Sequence, residues 1–123
     1  MITIYHNPRC SKSRETLALL EPLATGLQQQ LRIVDYQKTP LTLAQLTGLL
    51  QELGGDVQLL LRSNEEAYQA KNLAQADSAS ALQALLEAPH LLQRPIVSYR
   101  GKAMIGRPPE QVLGLFSKAS EHE

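Results

Sequence analysis

The chain has 123 residues, 43% apolar and 20% charged, and its 12 basic and 12 acidic side chains cancel. That is globular composition, too balanced for broad binding to nucleic acid. The one cysteine excludes an internal disulfide and any multi-cysteine metal centre. No signal-like start and no apolar run near the ~20 residues of a membrane span are present. The expectation is a single soluble, cytoplasmic domain over 1–123, a monomer bound to neither nucleic acid nor membrane.

With 23 leucines against 4 valines and 5 isoleucines, helix should outweigh strand. Met1 to Tyr5 alternates and is β-branched, a strand closed by Asn7-Pro8. A helix follows from Ser11, with Leu17, Leu20, Ala24 and Leu27 as its apolar stripe and Gly26 near its end. Leu31 to Tyr36 reads as a second strand, so the chain opens β-α-β, with a parallel pair. A helical insert of about 41–89 comes next. Thr42 and Gln45 form a capping box for a helix with Leu43, Leu46, Leu50 and Leu53, which Gly54-Gly55 stops.

A short helical turn is expected over Val57 to Leu61 and another helix between Ser63 and Asp77. Ser78 should cap a helix carrying Leu82, Leu85 and Leu86, ended by Pro89. Ile96 to Tyr99 is a strand that turns at Arg100-Gly101 into an antiparallel partner, Lys102 to Ile105. Pro108-Pro109 opens a last helix with Val112, Leu113 and Phe116, and a polar tail runs from about 117 to 123. The order is α/β: β-α-β, helical insert, β-β-α, on one mixed sheet.

Charge is uneven along this order. Residues 1–14 hold Arg9, Lys12 and Arg14 without a carboxylate, and Ala88 to Pro109 holds Arg94, Arg100, Lys102 and Arg107, again without one. Such segments in a neutral chain suggest a local anion site, although any one arginine alone reads as solvated surface. Cys10 falls between the first strand and the first helix, where free N–H groups and the helix dipole favour a thiolate. A lone cysteine is most often a core residue. The polar run from His6 to Arg14 argues against burial and for a reactive thiol. His6 could bond within this loop or add positive charge beside the thiol. Ser13 stands where a dithiol oxidoreductase has its second cysteine, so an oxidised Cys10 must be restored by an outside thiol.

The run His6-Asn7-Pro8-Arg9-Cys10-Ser11-Lys12-Ser13-Arg14 resembles the active-site loop of the glutaredoxin-dependent arsenate reductases. Leu60-Leu61-Arg62, Arg94-Pro95-Ile96-Val97 and Gly106-Arg107-Pro108 match further motifs in order, so the likeness runs to about Phe116. The resemblance implies a thioredoxin-like fold, Cys10 as nucleophile, and Arg62, Arg94 and Arg107 as oxyanion-binding residues that converge on it. It makes His6 an aid to thiol ionisation and Pro95 a cis-proline beside the site. It implies reduction of arsenate to arsenite with glutathione as co-substrate and glutaredoxin as partner, without a bound cofactor or metal. Two relatives of the fold remain as alternatives. A regulator that binds a transcription partner typically carries Cys-x-x-Cys, which Ser13 breaks. A monothiol glutaredoxin-like exchange protein needs a glutathione groove rather than three arginines.

Overall fold

The computed structural model describes residues 1–116, so the tail expected at 117–123 lies outside the described residues. The chain divides into two compact units: Met1–Asp35 with the chain from Arg94 onward, and Tyr36–Gln93. No helix of the described residues is long and apolar enough to cross a membrane.

The first unit holds a four-stranded mixed sheet in the order β2-β1-β3-β4. β1 is Ile2–His6 and pairs in parallel with β2, Leu31–Asp35, after the helix α1, Ser11–Gly26. β3, Ile96–Tyr99, runs antiparallel to β1, with Ile4 opposite Val97. β4, Lys102–Ile105, pairs antiparallel with β3. The turn between them has positive φ at Arg100 (53°) and Gly101 (79°), the pair of left-handed residues that a tight hairpin requires. This is the thioredoxin-like arrangement, a β-α-β unit and a β-hairpin sharing a central β1.

Alternation in β1 buries Ile2, Ile4 and His6 on one face. Ile2 and Ile4 join Leu20, Ala24, Val97, Tyr99, Val112 and Leu115 in the core of this unit. His6 extends the same face toward the start of α1, which is why a histidine lies buried there. The α1 stripe differs from expectation. Ser13, Thr16, Leu20 and Ala24 are buried, Leu17 is half-buried, and Leu27 is exposed. Two polar residues head the buried stripe because each finds a hydrogen-bond partner there: Thr16 Oγ1 donates to the Lys12 carbonyl at 2.8 Å, and Ser13 Oγ accepts from the Asn7 N–H at 3.0 Å.

The expected last helix is instead a 3₁₀ helix over Pro109–Phe116. Prolines 108 and 109 at its start and Gly114 within it weaken a regular α-helix.

The second unit carries the helical segment. α2, Leu43–Glu52, is closed by the expected capping box: the Gln45 N–H donates to Thr42 Oγ1 at 3.1 Å, and the Thr42 N–H donates to Gln45 Oε1 at 2.8 Å. Leu46 and Leu49 are its buried residues, whereas Leu43 is exposed. A 3₁₀ turn follows at Val57–Leu60, then α3 at Glu66–Ala70. α4, Ser78–Glu87, is capped by Asp77 and not by Ser78. Asp77 Oδ1 accepts from the Ser80 N–H at 2.8 Å, and its charge suits the positive end of the helix. Ser78 already lies within the first turn.

Candidate active site

Cys10 is the N-cap residue of α1, with extended backbone (φ −94°, ψ 122°). Its carbonyl accepts from the Arg14 N–H, and its own N–H donates to the Asn7 carbonyl, both at 3.0 Å. The loop from 7 to 10 is therefore a closed turn that delivers the cysteine to the helix start. Cys10 is only 8% exposed, which corrects the expectation that its polar neighbours keep it open. It nonetheless stands apart from the core cluster, at the helix terminus where the chemistry would need it.

Burial pushes the Cys10 thiol up. Against it act the Ser13 N–H, the Arg94 charge, the Lys12 N–H and the Arg107 charge, and the net result lies below the ordinary thiol value. The guanidinium of Arg107 reaches Sγ directly, with Nη2 at 3.5 Å across 97 residues of sequence. Its Nε donates to the Arg94 carbonyl at 2.8 Å, which fixes the fork. Arg94 precedes Pro95 through a cis peptide bond, and the Arg107–Pro108 bond is cis as well. The ring of Pro95 is buried, and the cis bond at Pro108 had no counterpart in the sequence reading.

Two of the basic residues nearest in sequence are directed elsewhere. Arg14 Nη1 donates to the Pro8 carbonyl at 2.9 Å and braces the loop from outside. Lys12 Nζ pairs with Glu15 at 3.5 Å. The charges that favour the thiolate are Arg94 and Arg107, from the far end of the chain.

His6 shares a 2.6 Å hydrogen bond between its Nδ1 and Ser13 Oγ. Burial lowers its pKa; Asp35, its register partner on β2, opposes that effect, and Arg14 adds to it. The net shift favours the neutral imidazole, and the ring bonds within the loop. Ser13, which cannot serve as a resolving thiol, is a pin: its hydroxyl ties β1, the loop and α1 together, and its backbone N–H faces Sγ.

Arg62 belongs to the second unit. Its Nη1 pairs with Glu65 Oε1 at 2.6 Å and reaches the His90 carbonyl at 3.4 Å. Its own N–H donates to the Leu91 carbonyl at 2.9 Å, beside the bridge between Leu61 and Leu92. The structure thus brings Arg94 and Arg107 to Cys10 and describes Arg62 with partners of its own unit.

Thr16, and the close approach of Gly106 to it, were missed by the sequence reading, which had Gly106 only as part of a motif. A Cβ at Gly106 would lie 2.5 Å from Thr16 Oγ1 and 2.7 Å from Pro95 Cγ, so the strand end that carries Arg107 is pressed against α1 and the proline. A glycine directly before an arginine of the anion set was the available signal. Among the described residues, no group of three or more His, Cys, Asp or Glu side chains is placed to hold a metal ion.

Taken together, a low-pKa thiol, two amides and two guanidinium groups suit attack on a tetrahedral oxyanion. A model of the ArsC family matches residues 5–115. The arsenate reductase of Haemophilus influenzae is 43% identical over 118 residues, covering 94% of this chain and 98% of that protein. The Escherichia coli K12 protein YfgD, described as uncharacterized, is 47% identical over 115 residues, covering 91% and 93%. Among solved structures, an arsenate reductase from Vibrio cholerae superposes with a TM-score of 0.80 at 41% identity, covering 92% of this chain and 95% of that one.

Proposed function

The chain belongs to the ArsC family, and on that premise we propose that it reduces arsenate to arsenite with Cys10 as its single nucleophile. The observation that carries the reading is the Cys10 Sγ at the start of α1, with Arg107 Nη2 at 3.5 Å and its pKa below the ordinary value. The thiolate attacks pentavalent arsenic; an S–As bond forms, and one oxygen leaves as water after taking up protons. Arg94 and Arg107 offset the charge of the remaining oxygens, for which a guanidinium fork is well shaped. Arg62 is kept as a third anion ligand on its motif match alone.

Ser13 has no thiol with which to release the adduct, so the electrons come from outside. A glutathione thiolate attacks the Cys10 sulfur. The S–As bond breaks with its electron pair on arsenic, which leaves as trivalent arsenite, and the two sulfurs remain as a mixed disulfide. Glutaredoxin's thiolate then takes the glutathione sulfur and frees the Cys10 thiolate. These steps use thiols alone and need no bound cofactor.

The test is an NADPH-coupled assay with arsenate, glutathione, glutathione reductase and glutaredoxin. Turnover that disappears in Cys10→Ser and when glutaredoxin is omitted is the expected result. Turnover by Cys10→Ser would overturn the nucleophile, and glutathione exchange at Cys10 without arsenate turnover would overturn the substrate. Arg62→Ala, Arg94→Ala and Arg107→Ala should each weaken competition by sulfate; an unchanged value for any of them removes that residue from the set.

A further inference from the structure

Between α1 and the start of the last helical segment lies an open groove of about 460 Å³, lined by Lys12, Glu15, Ala18 and Leu19 of α1 and by Pro108, Pro109 and Glu110. That volume falls within the roughly 300–1,000 Å³ of small-molecule clefts. One residue of each wall is tied to the active site: the Lys12 N–H acts on Cys10, and Pro108 follows the arginine whose Nη2 touches Sγ. From Lys12 to Leu19 the helix rises about 10 Å.

We propose that this groove is the subsite for the γ-glutamyl arm of glutathione, an inference that rests on glutathione being the electron donor at Cys10. The arm carries one carboxylate and one ammonium at the end of two methylenes. The groove offers Lys12 for the carboxylate, Glu15 and Glu110 for the ammonium, and the apolar surfaces of Ala18, Leu19 and the two prolines for the methylenes. The glycyl arm ends in a carboxylate alone, which two glutamates would repel. The same two acids make the groove unsuitable for arsenate, so it is distinct in chemistry from the Arg94 and Arg107 side of the thiol. Lys12 is paired with Glu15 at 3.5 Å, but both side chains are about half exposed (45% and 55%), and such a pair yields readily.

The experiment omits arsenate and measures thiol–disulfide exchange at Cys10 by intact mass. The Cys10 thiolate attacks a symmetrical disulfide, a mixed disulfide forms, and one small thiolate leaves. Three disulfides are compared, those of glutathione, γ-glutamylcysteine and cysteinylglycine, each rate divided by its rate with mercaptoethanol to remove intrinsic reactivity. The disulfide of γ-glutamylcysteine should react nearly as fast as that of glutathione, and that of cysteinylglycine about tenfold slower, the loss expected for charge-assisted hydrogen bonds. Lys12→Gln and Glu110→Gln should each shrink this preference, with iodoacetamide rates measured alongside to report thiol ionisation separately. Equal rates for cysteinylglycine and glutathione disulfides, or a preference that survives in both variants, would overturn the subsite while leaving glutathione as donor. Failure of all three disulfides to react would overturn the donor and the subsite together.

Discussion

A methyl group added at Gly106 tests how tightly the Arg107 loop is held. The new Cβ would sit 2.5 Å from Thr16 Oγ1, about 0.9 Å short of the 3.4 Å at which ordinary contact begins, and 2.7 Å from Pro95 Cγ. Neither wall yields easily. Thr16 is fully buried with its hydroxyl bonded to the Lys12 carbonyl, and Pro95 is buried in the ring conformation its backbone sets. The strand end at 105–107 must move instead, and overpacking of this kind costs about 1–3 kcal/mol. For a chain of this size, a loss near the middle of that range lowers Tm by roughly 6–10 °C. The same movement carries Arg107 away from Sγ, so the alkylation pKa of Cys10 should rise toward the ordinary thiol value. Thermal melts and iodoacetamide rates against pH on Gly106→Ala read both effects. A Tm within about 1 °C of wild type, with an unmoved alkylation profile, would refute the close packing and the positioning drawn from it.

Three further outcomes are expected. Arg107→Ala should raise the alkylation pKa of Cys10 without unfolding the protein, because it removes the guanidinium that touches Sγ from an exposed position. His6 has a folded pKa below its unfolded value of 6.5, so the unfolded chain binds the proton first and stability falls as pH drops below about 6.5. His6→Gln should flatten that part of the Tm–pH curve relative to wild type, and parallel curves would show that its ionisation is not linked to folding. Thr42→Ala should cost about 1 kcal/mol through loss of the capping box, read as faster amide exchange in α2; unchanged exchange would remove the cap from the stability of that helix.

Local features were legible in the sequence because local interactions produce them. Alternation placed β1, the Arg100-Gly101 pair placed the hairpin, and Thr42 with Gln45 placed the start of α2, each through contacts spanning only a few residues. The position of Cys10 at a helix start was readable for the same reason. Caps with close competitors were less so: Asp77 and Ser78 are both good cap residues, and only the hydrogen bond to the Ser80 N–H distinguishes them.

Tertiary structure decided which charges act on the thiol. Arg9, Lys12 and Arg14 are the nearest in sequence, yet Arg94 and Arg107 are the ones that favour its ionisation. Long flexible side chains can turn back to their own loop, as Arg14 does to Pro8, so sequence proximity does not set the field at Sγ. Strand pairing does: β3 beside β1 and β4 beside β3 return the chain to Cys10, and the Gly106 contact presses Arg107 into place. The burial of Ser13 and Thr16 was likewise invisible to an apolar count, because a polar side chain enters a core only when the fold supplies its hydrogen-bond partners, here the Asn7 N–H, the His6 ring and the Lys12 carbonyl.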